Sequence, residues 1–324
     1  MLSPRLILKP RIVNFVPLTV FTLLAFGLLP LPISVAATLP AGSEPASVVE
    51  QPDSQQQAPA EISIEAERQT ALAKQTMIIS ETPDAGSQSK RLSVVVGLGA
   101  SVGPAYAGSE VTRVGPIPYV DVRGLLGGRL YISDVNGLGL NLVDTGSFRA
   151  GLNVGDAAGR KSTVDAHLRG LPDIGEAASI GGFIAYWSES FAFQATLANR
   201  VGPHPGTAAS LGTTYSVSPL PNLQLTASIS VSWADARSLK TFFGISPAEA
   251  AHTAALGNPL PPYTPRSGVF DVSATFAAVY MLGDHWGLVG RVGLVDLIGN
   301  SVNDSPLTQR YFQPNIQIGM LYVF

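Results

Sequence analysis

From Leu92 to the C-terminus, apolar and polar residues alternate. In Gln224–Trp233, QLTASISVSW, residues Leu225, Ala227, Ile229, Val231 and Trp233 fall on one face. Gln224, Thr226, Ser228, Ser230 and Ser232 fall on the other. A period of two is the signature of an extended strand, whose successive side chains point to opposite faces. Three further segments repeat it. Phe148, Ala150, Leu152 and Val154 oppose Arg149, Gly151, Asn153 and Gly155. Phe270, Val272, Ala274, Phe276, Ala278 and Tyr280 oppose Asp271, Ser273 and Thr275. Phe312, Ile316, Ile318, Met320, Tyr322 and Phe324 oppose Gln313, Asn315, Gln317 and Gly319. Each repeat runs for ~10 residues, the length a tilted strand needs to cross a bilayer.

The alternation predicts strands at 92–101, 116–123, 128–134, 137–143, 147–155, 179–188, 190–200, 206–219, 222–234, 268–281, 285–297 and 312–324. The third and fourth carry the least pattern, and a count of about ten follows if a weak hairpin lies outside the membrane. Short pieces such as GLLG, DTG, SE and GD join strands two to three, four to five, six to seven and ten to eleven. Long pieces join one to two, five to six, nine to ten and eleven to twelve; the three-to-four connection is short. Outer-membrane barrels have short periplasmic turns and long external loops, with both termini in the periplasm. The expected fold is therefore all-β, a transmembrane antiparallel up-and-down β-barrel over residues 91–324.

A soluble β-sandwich also alternates. Charged residues make up only 13% of this chain, against about 25% in soluble domains. Mean hydropathy is +0.26. Trp187, Trp233, Trp286, Tyr280 and Tyr322 lie near strand ends, as interfacial girdles do. The last residue, Phe324, lies on the apolar face with Tyr322, as in chains delivered to the outer-membrane assembly machinery. These two residues are the candidate assembly signal.

The N-terminus has the layout of a secretory signal: Arg5, Lys9 and Arg11, an apolar run, then Ser34 and Ala36 or Val35 and Ala37 as the small-x-small pair. Pro17, Pro30 and Pro32 argue against a membrane-spanning helix in residues 1–37, so cleavage is expected near Ala36 or Ala37. Residues 38–90, beginning with a tract rich in Pro, Gln, Ser and Ala, read as a disordered periplasmic leader.

Charge and composition narrow the chemistry. The net charge is −3, so no basic surplus exists for nucleic acid. With no cysteine, thiolate chemistry and disulfides are excluded. His167, His204, His252 and His285 fall in predicted loops without metal-pair spacing, and no metal or cofactor is expected. Ser162, Asp165 and His167 are close in sequence but share a loop with no strand to fix them, so no catalytic residue is assigned. Arg149, Arg291 and Asp271 fall on lumen-facing positions, because charge on the lipid face is costly. They would form either an internal salt-bridge plug or the selectivity lining of a small pore. Arg123 and Arg200 lie at strand ends, with Asp121, Asp271 and Asp296 as candidate partners.

Several stretches resemble the MipA/OmpV family of MltA-interacting outer-membrane proteins. GLGASVGPAYAGSEVTRVGPIPYVDVR resembles its first hairpin, with Tyr-x-Gly-Ser before a Pro-x-Pro-Tyr strand. GGFIAYW followed by ANRVGPHPG resembles its central hairpin, and TFFGISPAEAA its aromatic-Gly-Val-Ser-Pro loop. WGLVGRVGLVDLIGNSVNDSPLT resembles its last hairpin. The resemblance implies a non-enzymatic barrel, embedded in outer-membrane lipid, that scaffolds murein synthases and lytic transglycosylases. The alternatives are a narrow channel for small solutes and a surface adhesin acting through its loops. Oligomeric state is not legible.

Overall fold

The computed structural model describes residues 92–133 and 136–324. The expected signal (1–37) and leader (38–90) lie outside the described residues. Twelve strands form one closed barrel. They are β1 Ser93–Pro104, β2 Thr112–Leu125, β3 Leu130–Ser133, β4 Gly137–Asp144, β5 Phe148–Ala157, β6 Ala177–Ser188, β7 Phe191–Val201, β8 Gly206–Leu220, β9 Leu223–Ala234, β10 Gly268–Met281, β11 Trp286–Leu297 and β12 Phe312–Val323. Each pairs antiparallel with its sequence neighbours, and β12 closes on β1 from Val95 opposite Val323 to Val102 opposite Ile316. In lipid no water can satisfy an open edge, so closure is what makes a spanning sheet viable.

The outward face is the apolar face of the sequence pattern. Leu98 is 66% exposed, Ile229 59% and Ile318 65%. A continuous apolar belt of this kind has no soluble counterpart; lipid is its solvent. The inward face is small and polar. Ser101, Asn141, Gln194, Thr214, Ser228, Ser273, Thr275 and Gln317 are all buried. Hydroxyls pair across neighbouring strands, Thr196 with Ser210 at 2.6 Å, Thr214 with Ser228 at 2.9 Å and Ser230 with Ser273 at 2.6 Å.

The expected strands all form, including the third and fourth. These two are the shortest in the wall, and β4 opens on Gly137 at φ +69°. As a result β2 meets β3 only at Asp121, Val122 and Leu125. Its stretch Thr112–Val120 pairs with β1 on one side and with no strand on the other among the described residues. Pro116 and Pro118 sit there, opposite Ala100 and Leu98. Proline has no N–H to leave unpaired, which is why it is tolerated on an edge of this kind.

Two residues depart from the expected faces. Phe270 does not share the lipid face with Val272. A register shift between Val269 and Asp271 turns its ring inward, where it is buried. Trp187 is not a girdle residue. It is buried in the lumen beside Ala185 and Ala192, with the Arg149 guanidinium 5.0 Å from its ring. The girdle at the end bearing the C-terminus is built instead by Trp286, Tyr322 and Phe324: the Tyr322 ring lies 4.9 Å from Trp286 and 4.8 Å from Phe324.

Candidate functional site: a capped lumen

The long loops do not splay into solvent; they fold together over one mouth of the barrel. The connection after β9 supplies two helices, α1 Ala236–Phe243 and α2 Pro247–Ala255. Asp235 caps α1 by accepting the Ser238 N–H at 2.7 Å. Ser246 and Glu249 form a reciprocal capping box on α2, with Pro247 in its first turn. Ile245, between the helices, pairs as a short bridge with Tyr263. Arg160 bridges Ile174 in the loop after β5.

These segments share an apolar core. Tyr106 comes from the first loop and Val164, Leu168 and Leu171 from the loop after β5. Ile245 and Leu260 come from the loop after β9, and Leu307 from the last loop. Leu168 and Leu307 are fully buried. A second cluster, with Leu239, Phe243, Phe270, Leu297 and Val302, joins α1 to the upper ends of β10 and β11. Polar contacts lock the loops to one another. The Tyr106 hydroxyl lies 3.0 Å from the Leu307 carbonyl oxygen. Ser109 Oγ donates to Asp165 Oδ2 at 2.7 Å, Ser305 Oγ to the Phe243 carbonyl at 2.7 Å, and Asn258 Nδ2 to the His167 carbonyl at 3.0 Å. Loops held at this density of buried contacts form a lid with a core of its own.

Between lid and barrel wall lies a cavity of ≈ 110 Å³, lined by Tyr106, Arg160, Val164, Ala234, Phe243 and Phe270 among others. It is mostly apolar. Its buried cation, Arg160, donates to the Phe242 carbonyl at 2.6 Å and lies 5.8 Å from the Tyr106 ring. Burial brings the Arg160 guanidinium down to about 10, with the Tyr106, Glu249 and Asp173 charges opposing the fall. Burial, then the Asp165 carboxylate, holds the Tyr106 hydroxyl well above the ordinary phenol range.

Below the lid, side chains from every part of the wall line the lumen. Tyr131, Phe183 and Trp187 occupy the β3–β6 side. Arg149 Nε meets Asp144 Oδ2 at 3.2 Å, a partner absent from the sequence reading. Arg123 pairs with Asp121, as expected, with Nε to Oδ1 at 2.7 Å. Arg291 lies on the lumen face with Nη1 3.4 Å from Gln317 Oε1. Asp271 is buried beside Ser232. Arg200 donates to the backbone carbonyls of Ala158 and Gly175, anchoring the loop after β5. The three expected lumen charges are thus spread around the wall rather than gathered at one point: Arg149 is in β5, Asp271 in β10 and Arg291 in β11.

Ser162, Asp165 and His167 do not form a relay. Ser162 Oγ donates to Asp173, Asp165 accepts from Ser109, and His167 Nε2 contacts the Pro306 carbonyl. Among the described residues no three His, Asp or Glu side chains converge as metal ligands. The alternation of the strands does not predict the lid. One signal for it lies in the sequence: Ser246-Pro247-Ala248-Glu249 is a capping-box sequence, which marks a helix start inside the long connection after β9.

The family described as MltA-interacting protein MipA matches residues 96–324, most of the chain and all but the first strand residues of the barrel. The chain belongs to the MipA family. With its closed antiparallel wall and outward apolar belt, it is an outer-membrane β-barrel. No curated relative matches the sequence. Among solved structures it is similar to a Pseudomonas aeruginosa FadL homologue, at 10% identity over 80% of this chain and 97% of that one, with a TM-score of 0.36. It is also similar to the anion-selective porin from Comamonas acidovorans, at 12% identity over 72% of this chain and 99% of that one, with a TM-score of 0.30.

Proposed function

We propose that this MipA-family barrel is a non-enzymatic scaffold that holds lytic transglycosylases and murein synthases at the periplasmic side of the outer membrane. The observation that carries the reading is the lid. Four loops bury Tyr106, Leu168, Ile245 and Leu307 in one core across the external mouth. A barrel corked by a packed apolar core is suited to holding a position in the membrane, not to passing bulk solute. The family description names an interaction with MltA. On this reading the contacts are made by the short turns at the termini-bearing end, such as 282–285, and by residues 38–90. The test is affinity capture from detergent-solubilised envelopes with a tag inserted between residues 38 and 90. Reproducible recovery of a lytic transglycosylase or murein synthase, absent from a control barrel, supports the scaffold. A capture with no such enzyme sinks it.

A narrow channel is the second reading, and the lumen chemistry favours it. Asn141 Oδ1, Ser216 Oγ, Asn315 Oδ1 and Gln317 Nε2 are buried with no protein hydrogen-bond partner among the described residues. Groups of this kind are satisfied by water. In that reading Arg149, Arg291 and Asp271 set the ion preference of a wet lumen. Conductance across a planar bilayer separates the two.

A further inference from the structure

The lid carries a second hollow on its outer side, ≈ 340 Å³ in volume, between the loop after β5, the turn at 202–205, α1 and the start of α2. Four basic side chains line it, Arg160, Arg237, Lys240 and His204, together with the carboxylates Asp173 and Glu249.

The two signs are not equally committed. Asp173 Oδ1 accepts the backbone N–H of Ser162 at 2.6 Å and the Ser162 hydroxyl at 2.8 Å. Glu249 Oε2 accepts the Ser246 N–H at 2.7 Å as half of the capping box. These carboxylates hold the loops in shape. Arg237 and Lys240 are exposed, and neither head group has an ion pair or hydrogen bond among the described residues. They lie three residues apart on α1, so they share one face of the helix. Two like charges at this spacing repel. Here they also face the hollow that Arg160 lines from within, where its guanidinium is buried and fixed on the Phe242 carbonyl. The Asp173 and Glu249 carboxylates already act on Arg160, so the uncommitted positive charge at the hollow is that of Arg237 and Lys240.

The walls are preformed. Pro172, Pro203 and Pro205 stiffen two sides, and residue 206, where a Cβ would sit 2.7 Å from Ser238, has to be glycine for the turn to reach α1. A rigid, concave, multiply cationic site facing outward fits a compact group carrying more than one negative charge. Guanidinium forks match phosphate oxygens in geometry, and lysine adds a point charge.

We propose that this hollow binds a phosphate group, with Arg237 and Lys240 as its outer clamp and Arg160 as its floor. The same chemistry has two sources at this surface: a phosphorylated lipid headgroup in the surrounding leaflet, or a free phosphate species in the medium.

The test uses the full chain folded in a neutral detergent. Inorganic phosphate is titrated into the wild type and into the double variant Arg237→Gln, Lys240→Gln, with binding read by calorimetry. In a second arm both proteins are placed in phosphatidylcholine vesicles with and without lipid A, and hydrogen exchange of the α1 amides is followed. The expected result is binding by the wild type that falls about tenfold or more in the double variant, since charge-assisted contacts are lost. Mobility on unheated gels reports that the barrel is intact, and the single variants replace the double one if it is not. Binding of inorganic phosphate alone assigns a free ligand; protection only with lipid A assigns the headgroup. A wild type that responds in neither arm, or a double variant that responds equally, overturns the proposal.

Discussion

The ring of Tyr131 lies where a side chain at residue 139 would have to be: a Cβ built on Gly139 would sit 1.9 Å from Tyr131 Cζ. The two residues face each other across β3 and β4, Tyr131 opposite Gly139. Tyr131 in turn meets Phe183 edge-on with centroids 6.2 Å apart. Phe183 repeats the arrangement over Gly151, where a Cβ would come within 2.8 Å of its ring. Glycine here makes room for rings laid against the wall inside a narrow lumen.

That relationship gives the first prediction. Gly139→Val forces Tyr131 out of place and should cost about 1–3 kcal/mol, as overpacking does. Urea unfolding in vesicles measures the loss. Tyr131→Ala in the same chain should recover part of it, because the two sites are coupled. Additive losses in the double variant would show that the ring has no such seat.

The barrel was legible in the sequence because lipid outside and a polar lumen inside impose the period of two on every strand. Where the period failed to assign a face, a local event was the cause. The alternation places Phe270 outside, but the register shift beside Val269 reverses it, and a bulge leaves no mark in the alternation. The residue type of Trp187 and its place near a strand end point to a girdle member. Its parity with Ala185, which is also buried, gave the correct inward face. The lid was not legible because its core joins Tyr106, Leu168, Ile245 and Leu307 across distances in sequence that no local pattern spans.

If the lid closes the mouth, charging its core should open it. Leu168→Asp places a carboxylate at a fully buried position, an unpaired buried charge of the kind that costs several kcal/mol. The strands do not depend on this residue, so the barrel should still fold. Single-channel recordings are expected to show low conductance for the wild type and a clear rise for the variant. Equal conductance in the two would mean that the lid does not control passage.

Tyr106 and Arg160 give the lid a pH dependence with two opposed parts. The Tyr106 hydroxyl is raised above its ordinary value of 10.0. Its contribution is therefore full below about pH 10 and falls as pH rises beyond that. The Arg160 guanidinium is lowered from 12.5 to about 10. The cost of burying its charge is present below about 10 and is relieved as pH rises toward 12.5. Tyr106→Phe should thus make the lid tighter on going from pH 10 upward, and Arg160→Met should make it looser. The chain has no cysteine, so a single cysteine at position 168, with labelling rates normalised to an exposed one, reads lid opening cleanly. The same slope in both variants would remove these two groups as the source.

The last prediction concerns assembly. Phe324 closes the seam of the barrel: its backbone N–H donates to the Val94 carbonyl at 3.0 Å, and its ring lies 4.8 Å from that of Tyr322. Tyr322 also stacks on His285 at 5.5 Å and meets Trp286 at 4.9 Å. Most of the Phe324 side chain remains exposed, at 72%, so it adds little burial to the finished barrel. An assembly signal in this placement would matter more to forming the β1–β12 seam than to holding it. Deleting Phe324 should reduce the heat-modifiable, folded fraction in outer membranes several-fold. The urea midpoint of the barrel that does fold should shift by less than about 1 kcal/mol-equivalent, the scale of one lost hydrogen bond. Tyr322→Ala should lower both, because it removes the ring that three neighbours pack on. A deletion that lowers stability as much as yield would make Phe324 an ordinary structural residue instead of an assembly signal.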